Sequence, residues 1–285
     1  MLAFLFVPLW RKWPLVFALL MVVAPASPVR AAGGAYQIGL IGDTGYTSKQ
    51  DANLLKVRAG ANAAHLAFVV HDGDIQLGDT PCSDKRLGYV KGVFDGFSTL
   101  VYTPGDNEWQ DCTNGGGYHG PWLGHIRKMF FSTGNSLGTH PMGQYRQVGT
   151  PENARWERGG VVFATLDVPG PGGGGPVAAN LAWLDAAFDR ASAVQAAAVM
   201  IIWQDDPTDG SSGNLVAKLK KRAMAFGRPV VLVHGDTHVH RLDHPWKDTP
   251  NLTRLETFPG TTASWVKATV NPAAPGVFSF TTVHG

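Results

Sequence analysis

The chain has 285 residues, of which 44% are hydrophobic and 16% charged, and its formal net charge at pH 7 is +2. Such a balance gives no basic surface of the kind that binds nucleic acid. The length allows one large α/β domain or two small ones, and no linker or repeat divides the sequence.

The N-terminal segment has the features of an export signal. A positive patch at residues 11–13 precedes an apolar run at 14–26 that is short for a membrane span. Small residues follow, so we expect a signal peptide over residues 1–31 with cleavage before Ala32. The apolar residues 1–10 leave an uncleaved membrane anchor as the alternative. In both cases the rest of the chain is exported, to the periplasm or the medium.

Removal of the leader leaves one predicted domain, residues 32–285, without a basic patch. The leader carries Arg11, Lys12 and Arg30 and no acidic residue, so the net charge falls from +2 to −1. The one cationic run, residues 218–222, lies on a predicted helix and reads as a solvated face. We therefore expect no nucleic-acid partner, and contact with a membrane only through an uncleaved leader.

Six apolar segments have the composition of strands that are buried on both faces, because they lack the alternation of a half-exposed strand. Helix-like segments lie between several of them, and this alternation predicts a layered α/β domain. The predicted strands cover residues 36–42, 65–70, 99–103, 160–168, 197–203 and 229–235.

Two segments, residues 180–191 and 212–226, show the spacing of amphipathic helices. The tail at residues 255–283 instead contains short apolar segments separated by Gly and Pro, which favours a second, more antiparallel sheet. The side chains predicted on the buried helix faces are Leu181, Leu184, Phe188, Leu215, Leu219 and Met224.

The two cysteines, Cys82 and Cys112, each follow a predicted strand by a few residues. In an exported protein a disulfide is the default expectation, and it would tie together the two loops at these strand ends. The alternative is two unrelated free thiols.

Carboxylates follow five of the predicted strands. In layered α/β folds ligands bind at the carboxyl ends of strands, so we expect these acids to converge. Clustered carboxylates raise one another's pKa, and a multivalent cation removes that conflict. Asp is also a common turn residue and helix cap, which explains any one of them more easily than all five. The residues are Asp43, Asp74, Asp106, Asp205, Asp206 and Asp236, and His238 follows the last.

The order of these blocks resembles the calcineurin-like metallophosphoesterases, including the purple acid phosphatases, over roughly residues 37–243. The resemblance implies an α/β fold of the α-β-β-α type, a layered β-sandwich flanked by helices. It also implies two metal ions, a hydroxide bound to them that attacks phosphorus, and Asp74 as the bridging and catalytic aspartate. The implied metal ligands are Asp43, Asp74, Asp106, Asp205, Asp236 and His238, with Gln204 as the alternative to Asp205.

Several positions depart from the family pattern. Gly45 stands where most members have a histidine, and the purple acid phosphatases also have a glycine there. Leu77 stands where those phosphatases have a tyrosine ligand. Asp106 replaces an asparagine ligand and Asp236 replaces a histidine. Carboxylates in place of imidazoles favour Mn²⁺, Mg²⁺ or Ca²⁺ over Zn²⁺, and iron is also possible.

Asn107 occupies the position of the family's catalytic histidine. An amide can hydrogen-bond a phosphate oxygen but cannot serve as a general acid. Four histidines lie near the motifs in sequence and could substitute, although no spacing singles one out: His71, His119, His234 and His240.

Two functions therefore compete. The first is an exported metallophosphoesterase that hydrolyses a small-molecule or phosphorylated substrate. The second is a non-catalytic protein that uses the same aspartate-rich site to bind Ca²⁺ for structure or recognition, because a fold does not determine a function.

Overall fold

The structure is a computed structural model that describes residues 34–117, 119–170 and 175–285; the predicted signal peptide lies outside these ranges. The helices are α1 (Ser48–Ala63), α2 (Asp84–Asp95), α3 (Trp122–Phe130), α4 (Val177–Ala193) and α5 (Gly213–Phe226). The strands are β1 (Tyr36–Ile41), β2 (Val69–His71), β3 (Leu100–Tyr102), β4 (Tyr145–Gln147), β5 (Thr150–Arg158), β6 (Val161–Thr165), β7 (Ala198–Ile202), β8 (Val230–His234), β9 (Arg241–Asp243), β10 (Leu252–Glu256), β11 (Trp265–Val270) and β12 (Phe278–Val283).

The first sheet has the strand order β12-β11-β1-β2-β3. Strands β1, β2 and β3 are parallel, with Leu40 opposite Val70 and Val70 opposite Val101. The two C-terminal strands are antiparallel and extend the sheet beyond β1. The carboxyl ends of β1, β2 and β3 therefore lie at the same edge of the sheet.

The second sheet has the strand order β4-β5-β6-β7-β8-β10-β9. Its centre is parallel, from β6 through β7 and β8 to β10, and its outer strands are antiparallel. Successive residues of the central strands are buried on opposite faces. Phe163 packs between the two sheets, whereas Ala164 packs under α4 and α5.

The two sheets and the helices form four layers. Helices α1, α2 and α3 cover the outer face of the first sheet, through residues such as Leu54 and Phe94. Helices α4 and α5 cover the outer face of the second sheet, through Leu184 and Leu219. Both central layers are thus buried on both faces, which explains the unbroken apolar runs of their strands. This arrangement confirms the predicted α-β-β-α fold class.

Two details of the sequence interpretation were wrong. Met224 is 51% exposed; it lies five residues after Leu219, about 140° around the helix, and Ala223 is buried instead. The tail forms no separate sheet, because β10 joins the second sheet and β11 and β12 complete the first. The expected antiparallel pairing is present in β11 and β12.

Among the described residues, no helix has the length and apolar character needed to cross a membrane. Cys82 and Cys112 form the predicted disulfide, with their Cα atoms 5.2 Å apart. The bridge joins the loop that follows β2 to the loop that follows β3. Both cysteines are buried, next to the backbone carbonyl of Glu108.

We predict that the double replacement Cys82→Ala/Cys112→Ala lowers the free energy of unfolding by about 3 to 4 kcal/mol. The bridge spans a sequence separation of 30 residues, and cross-linking a loop of this length restricts the unfolded chain by about that amount. Urea unfolding of the variant and the oxidised wild type measures the difference. Equal unfolding free energies would contradict the prediction.

Candidate metal centre

Acidic residues follow the parallel strands at one edge of the fold. Asp43 follows β1, Asp74 follows β2, and Asp236 and His238 follow β8. All four have positive φ, at 49°, 62°, 79° and 61° respectively. This conformation is uncommon for residues other than glycine and is concentrated at functional sites, where the surrounding structure offsets its cost.

Asp43, Asp74 and His238 come together as one group of potential ligands. Each offers a donor atom, and the three atoms lie within 4.8 Å of one another. Asp43 Oδ1 is 3.9 Å from His238 Nε2. The two carboxylates are buried, whereas the His238 side chain is 49% exposed. The group therefore has an open side.

Asp106 and Asp236 extend this group of carboxylates. Asp106 lies beside Asp74, and the backbone N–H of Asp236 donates to Asp43 Oδ1 at 3.0 Å. Burial raises the pKa of Asp43 to about 7, and it raises the pKa of Asp236 to about 7 as well, where the charge of Asp106 adds to the rise. The fold thus holds four carboxyl groups where their ionised forms repel one another.

Two oxygens of this group are buried without a hydrogen-bond partner among the described residues, Asp43 Oδ2 and Asp106 Oδ1. A buried carboxylate oxygen without a partner is costly, and bound cations are one of the few ways to compensate it. Carboxylate oxygens are also the ligands that Mg²⁺, Ca²⁺ and Mn²⁺ prefer. The residues present therefore fit a divalent cation.

The two candidates at the end of β7 point in different directions. Gln204 Nε2 lies 3.4 Å from Asp43 Oδ1, and the other amide atom, Oε1, is buried without a partner. Asp205 Oδ2 instead accepts a hydrogen bond from the Ser211 hydroxyl at 2.6 Å, and Asp205 lines a pocket with Ser212 beside α5. The structure brings Gln204, and not Asp205, against the Asp43 carboxylate.

Asn107 lies beside the group, but its amide is engaged in the loop. Its backbone N–H donates to Asp74 Oδ1 at 3.2 Å, and its side-chain Nδ2 donates to the Gln76 carbonyl at 2.9 Å. Its Oδ1 atom lies against Gly78. The amide thus holds the loops after β2 and β3 together.

Glu108 is a residue that the sequence interpretation missed as a structural anchor. Its buried carboxylate accepts hydrogen bonds from the backbone N–H groups of Asp74, Ile75 and Gly105, at 2.7 to 3.1 Å. The Tyr102 hydroxyl donates to it at 2.7 Å. The glutamate that ends the Asp-Asn-Glu block therefore fixes the loops that carry Asp74 and Asp106.

Glu256 has the corresponding role for the loop after β8. It is fully buried at the end of β10 and accepts hydrogen bonds from the Thr237 hydroxyl and the Val239 backbone N–H. It also forms an ion pair with Arg241. These contacts surround His238 in sequence, so they set the backbone that presents its imidazole.

Tyr46 is the second residue that the sequence interpretation missed. It lies in the loop between β1 and α1, and its hydroxyl is 2.8 Å from Asp74 Oδ2 and 3.1 Å from His238 Nε2. The signal in the sequence was its position three residues after Asp43, in the same strand-end block. Leu77, at the position where the purple acid phosphatases have a tyrosine ligand, is 53% exposed.

Two of the nearby histidines are held by contacts of their own. His71 is buried; its Nδ1 accepts a hydrogen bond from the Gly73 N–H, so its Nε2–H donates to the Thr44 hydroxyl at 2.7 Å. His240 packs on the Phe258 ring with its Nδ1 at 2.7 Å from a backbone carbonyl. Neither is among the ligand atoms that converge with Asp43.

Comparisons with known proteins detect the fold and not a close relative. No family model and no curated protein matches the sequence. GAP50, described as the anchor in the inner membrane complex of Plasmodium, matches with a TM-score of 0.53 and 11% identity, over 88% of this chain and 89% of its own. The 5'-nucleotidase from Candida albicans SC5314 matches with a TM-score of 0.52 and 13% identity, over 87% of this chain and 51% of its own.

At these identities the likeness concerns the fold alone. The chain spans about half of the length of that 5'-nucleotidase, and nearly all of GAP50. The four layers and the strand-end carboxylates agree with the resemblance that the sequence blocks carry. The chain therefore has a fold of the metallophosphoesterase type.

The burial of His71 predicts a specific pH dependence of stability. Burial lowers the pKa of His71 to about 3, from a usual value of 6.5. Between these values the unfolded chain binds a proton that the native protein excludes, so this residue makes stability fall as the pH drops below about 6.5. Relative to His71→Gln, the wild type should lose about 1.4 kcal/mol per pH unit in that window.

Urea unfolding of both proteins in excess chelator, from pH 7 to pH 4, measures this difference. Glutamine offers one acceptor and one donor to the same partners, so it is a matched replacement. The clustered carboxylates titrate in both proteins and cancel in the comparison. Parallel pH profiles would contradict the prediction.

Proposed function

We propose that this chain is an exported, metal-dependent phosphoester hydrolase. One observation carries the proposal: Asp43, Asp74 and His238 present their donor atoms within 4.8 Å of one another at the carboxyl ends of parallel strands. They do so in a metallophosphoesterase fold, in which two carboxylate oxygens of the same group are buried without a partner. Ligands bind at this edge in layered α/β proteins.

In this proposal two divalent cations occupy the group. Asp43, Asp74, Asp106, Asp236 and His238 would hold them, with Gln204 rather than Asp205 as a further ligand, because Gln204 faces Asp43. The donors are mostly carboxylate oxygens, so Mn²⁺, Mg²⁺ or Ca²⁺ is favoured over Zn²⁺, and iron is a further candidate. When bound, the cations supply Lewis-acid polarisation of the phosphoryl group and the means to activate water at neutral pH.

The electrostatics of the chain make that hydrolysis dependent on metal. A phosphate ester is an anion, and the carboxylates of Asp43, Asp74, Asp106 and Asp236 repel it when they are ionised. The exposed side of His238 is where a substrate can approach. Chelation should therefore remove substrate binding together with turnover.

Asn107 supplies no proton in this mechanism. Its Nδ2 donates to the Gln76 carbonyl, and an amide has no titratable proton near neutral pH. The leaving group consequently departs without protonation by residue 107. Among phosphate esters, those whose leaving groups are stable anions are then the better substrates.

Two further features support the exported setting and the substrate class. A buried disulfide between Cys82 and Cys112 is typical of oxidising compartments. The cationic run at residues 218–222 lies on α5, where Lys218 and Arg222 form ion pairs with Asp185 of α4. This supports a small-molecule or phosphorylated substrate over a nucleic acid.

A second candidate function is a non-catalytic Ca²⁺-binding or recognition protein. It is favoured by the absence of a proton donor at Asn107 and by the fold shared with GAP50, which is described as an anchor. Such a protein needs bound cations to compensate its carboxylates but no turnover.

The first test is hydrolysis of an aryl phosphate with added Mn²⁺. We predict that wild-type protein turns the substrate over and that Asp74→Asn lowers the rate by at least about 100-fold, because loss of a ligand should cost no less than loss of an outer partner. Metal content measured in parallel should also fall. Asp189→Asn, at an exposed carboxylate of α4, is the matched control. Full activity in Asp74→Asn would refute the proposed site, and bound metal without turnover in the wild type would favour the second candidate.

The second test concerns the leaving group. We predict that aryl phosphates react much faster than alkyl phosphates, and that Asn107→His improves alkyl substrates selectively by about 10- to 100-fold, at the low end of the effect of a general acid. Metal content must be measured beside the rate, because imidazole could also enter the metal site. Equal rates for both substrate classes in the wild type, with chemistry rate-limiting, would contradict this account of Asn107.

A further inference from the structure

The hydroxyl of Tyr46 lies among the potential ligands of the candidate metal centre. It lies 2.8 Å from Asp74 Oδ2, 3.1 Å from His238 Nε2 and 3.4 Å from Asp43 Oδ1. Its ring packs against the imidazole of His238, with ring centroids 5.4 Å apart. Among the described residues, no other tyrosine contacts all three of these side chains.

The local chain fixes this position. The Tyr46 backbone N–H donates to Gln50 Oε1 at 2.6 Å, and Thr47 caps α1 by accepting from the Gln50 N–H. Gly45 has φ of 81°, and its carbonyl accepts from Arg86 Nη2 at 2.5 Å. Arg86 also donates to the carbonyl of Ile75, after β2. The loop that carries Tyr46 is thus fastened to the loop that carries Asp74.

The distances match those between ligands that share one ion. With metal–oxygen bonds of about 2.1 Å, two ligands at right angles are about 3 Å apart. The three separations from the Tyr46 oxygen, 2.8, 3.1 and 3.4 Å, are of this size. A hydroxyl that only formed a hydrogen bond would need one partner. The Tyr46 oxygen instead lies close to a potential metal-ligand atom of each of the three residues.

We propose that Tyr46 is a metal ligand, and that its phenolate oxygen joins Asp43, Asp74 and His238 around one ion. The inference rests on the metal site of the proposed function. On binding, the O–H bond is replaced by an O–metal bond and the proton leaves to solvent. Two carboxylates and a phenolate together carry three negative charges, so the position favours a hard trivalent ion, with Fe³⁺ as the iron form that fits.

From the sequence alone, the chain lacks the tyrosine ligand of the purple acid phosphatases. That tyrosine falls after β2, where this chain has the half-exposed Leu77. The structure supplies a phenol oxygen from the loop after β1 instead. A tyrosine side chain can thus approach the proposed ion from the loop after β1 instead of the loop after β2.

The test uses the full exported chain, stripped of metal and loaded with one equivalent of Fe³⁺ as its citrate complex. Coordination of a phenolate to Fe³⁺ gives a ligand-to-metal charge-transfer band in the visible region, and resonance Raman excitation into that band reports tyrosine ring modes. Wild-type protein should show both, and the ring modes should shift in protein grown on ring-deuterated tyrosine. Tyr46→Phe should lose the band and bind the ion at least about tenfold more weakly.

Tyr89→Phe is the matched control, because Tyr89 is exposed on α2 and should leave the band unchanged. The labelled wild type identifies tyrosine as a ligand even if Tyr46→Phe folds poorly. Failure of wild-type protein to bind Fe³⁺, binding without the band, or a band that Tyr46→Phe retains would each overturn the assignment.

Failure of the Tyr46 assignment can be distinguished from failure of the proposed phosphoesterase function. A charge-transfer band without hydrolysis of any phosphate ester would leave Tyr46 as a ligand and remove the enzyme. Mn²⁺-dependent hydrolysis in a protein that shows no band with Fe³⁺ would keep the enzyme and remove the ligand.

Discussion

The architecture of the site depends on one electrostatic constraint. Parallel strands from two sheets end at one edge, and they bring the carboxyl groups of Asp43, Asp74, Asp106 and Asp236 into a region partly closed to water. Burial alone raises the pKa values there, and mutual repulsion adds to it. Protein hydrogen bonds compensate part of this cost, but two oxygens have no partner among the described residues. A bound cation would compensate the rest.

The loops that carry these acids are held by buried groups that are not among the potential metal ligands. Glu108 binds three backbone N–H groups in the loops after β2 and β3, and Glu256 binds the loop after β8. The buried Cys82–Cys112 bridge joins the loops after β2 and β3. Charged anchors are costly to bury, and they persist here because each accepts several hydrogen bonds. Backbone with positive φ is thereby kept in place without the metal.

The sequence was sufficient for the layered fold because its central strands are apolar on both faces, and no half-exposed strand has that pattern. Strand β5 was not predicted, since charged residues such as Glu157 and Arg158 interrupt its apolar positions. The Asp43, Asp74 and His238 group could be predicted from chain order, because parallel strands deliver their ends to one edge. Tyr46 could not, because the direction of a loop side chain depends on contacts from Arg86 that are distant in sequence.

The position of a residue in the chain does not by itself determine whether its side chain faces the site. Asp205 and Gln204 are adjacent in sequence and both lie in the bend that follows β7. Gln204 nevertheless meets the Asp43 carboxylate, while Asp205 meets Ser211 beside α5. A sequence motif identifies the end of a strand, but it does not show which of two adjacent side chains points into the site. The side chain that turns inward here is a neutral amide, which places a hydrogen-bond donor against Asp43 without adding a negative charge. In a group of four carboxylates, that neutrality limits the charge that bound cations would have to balance.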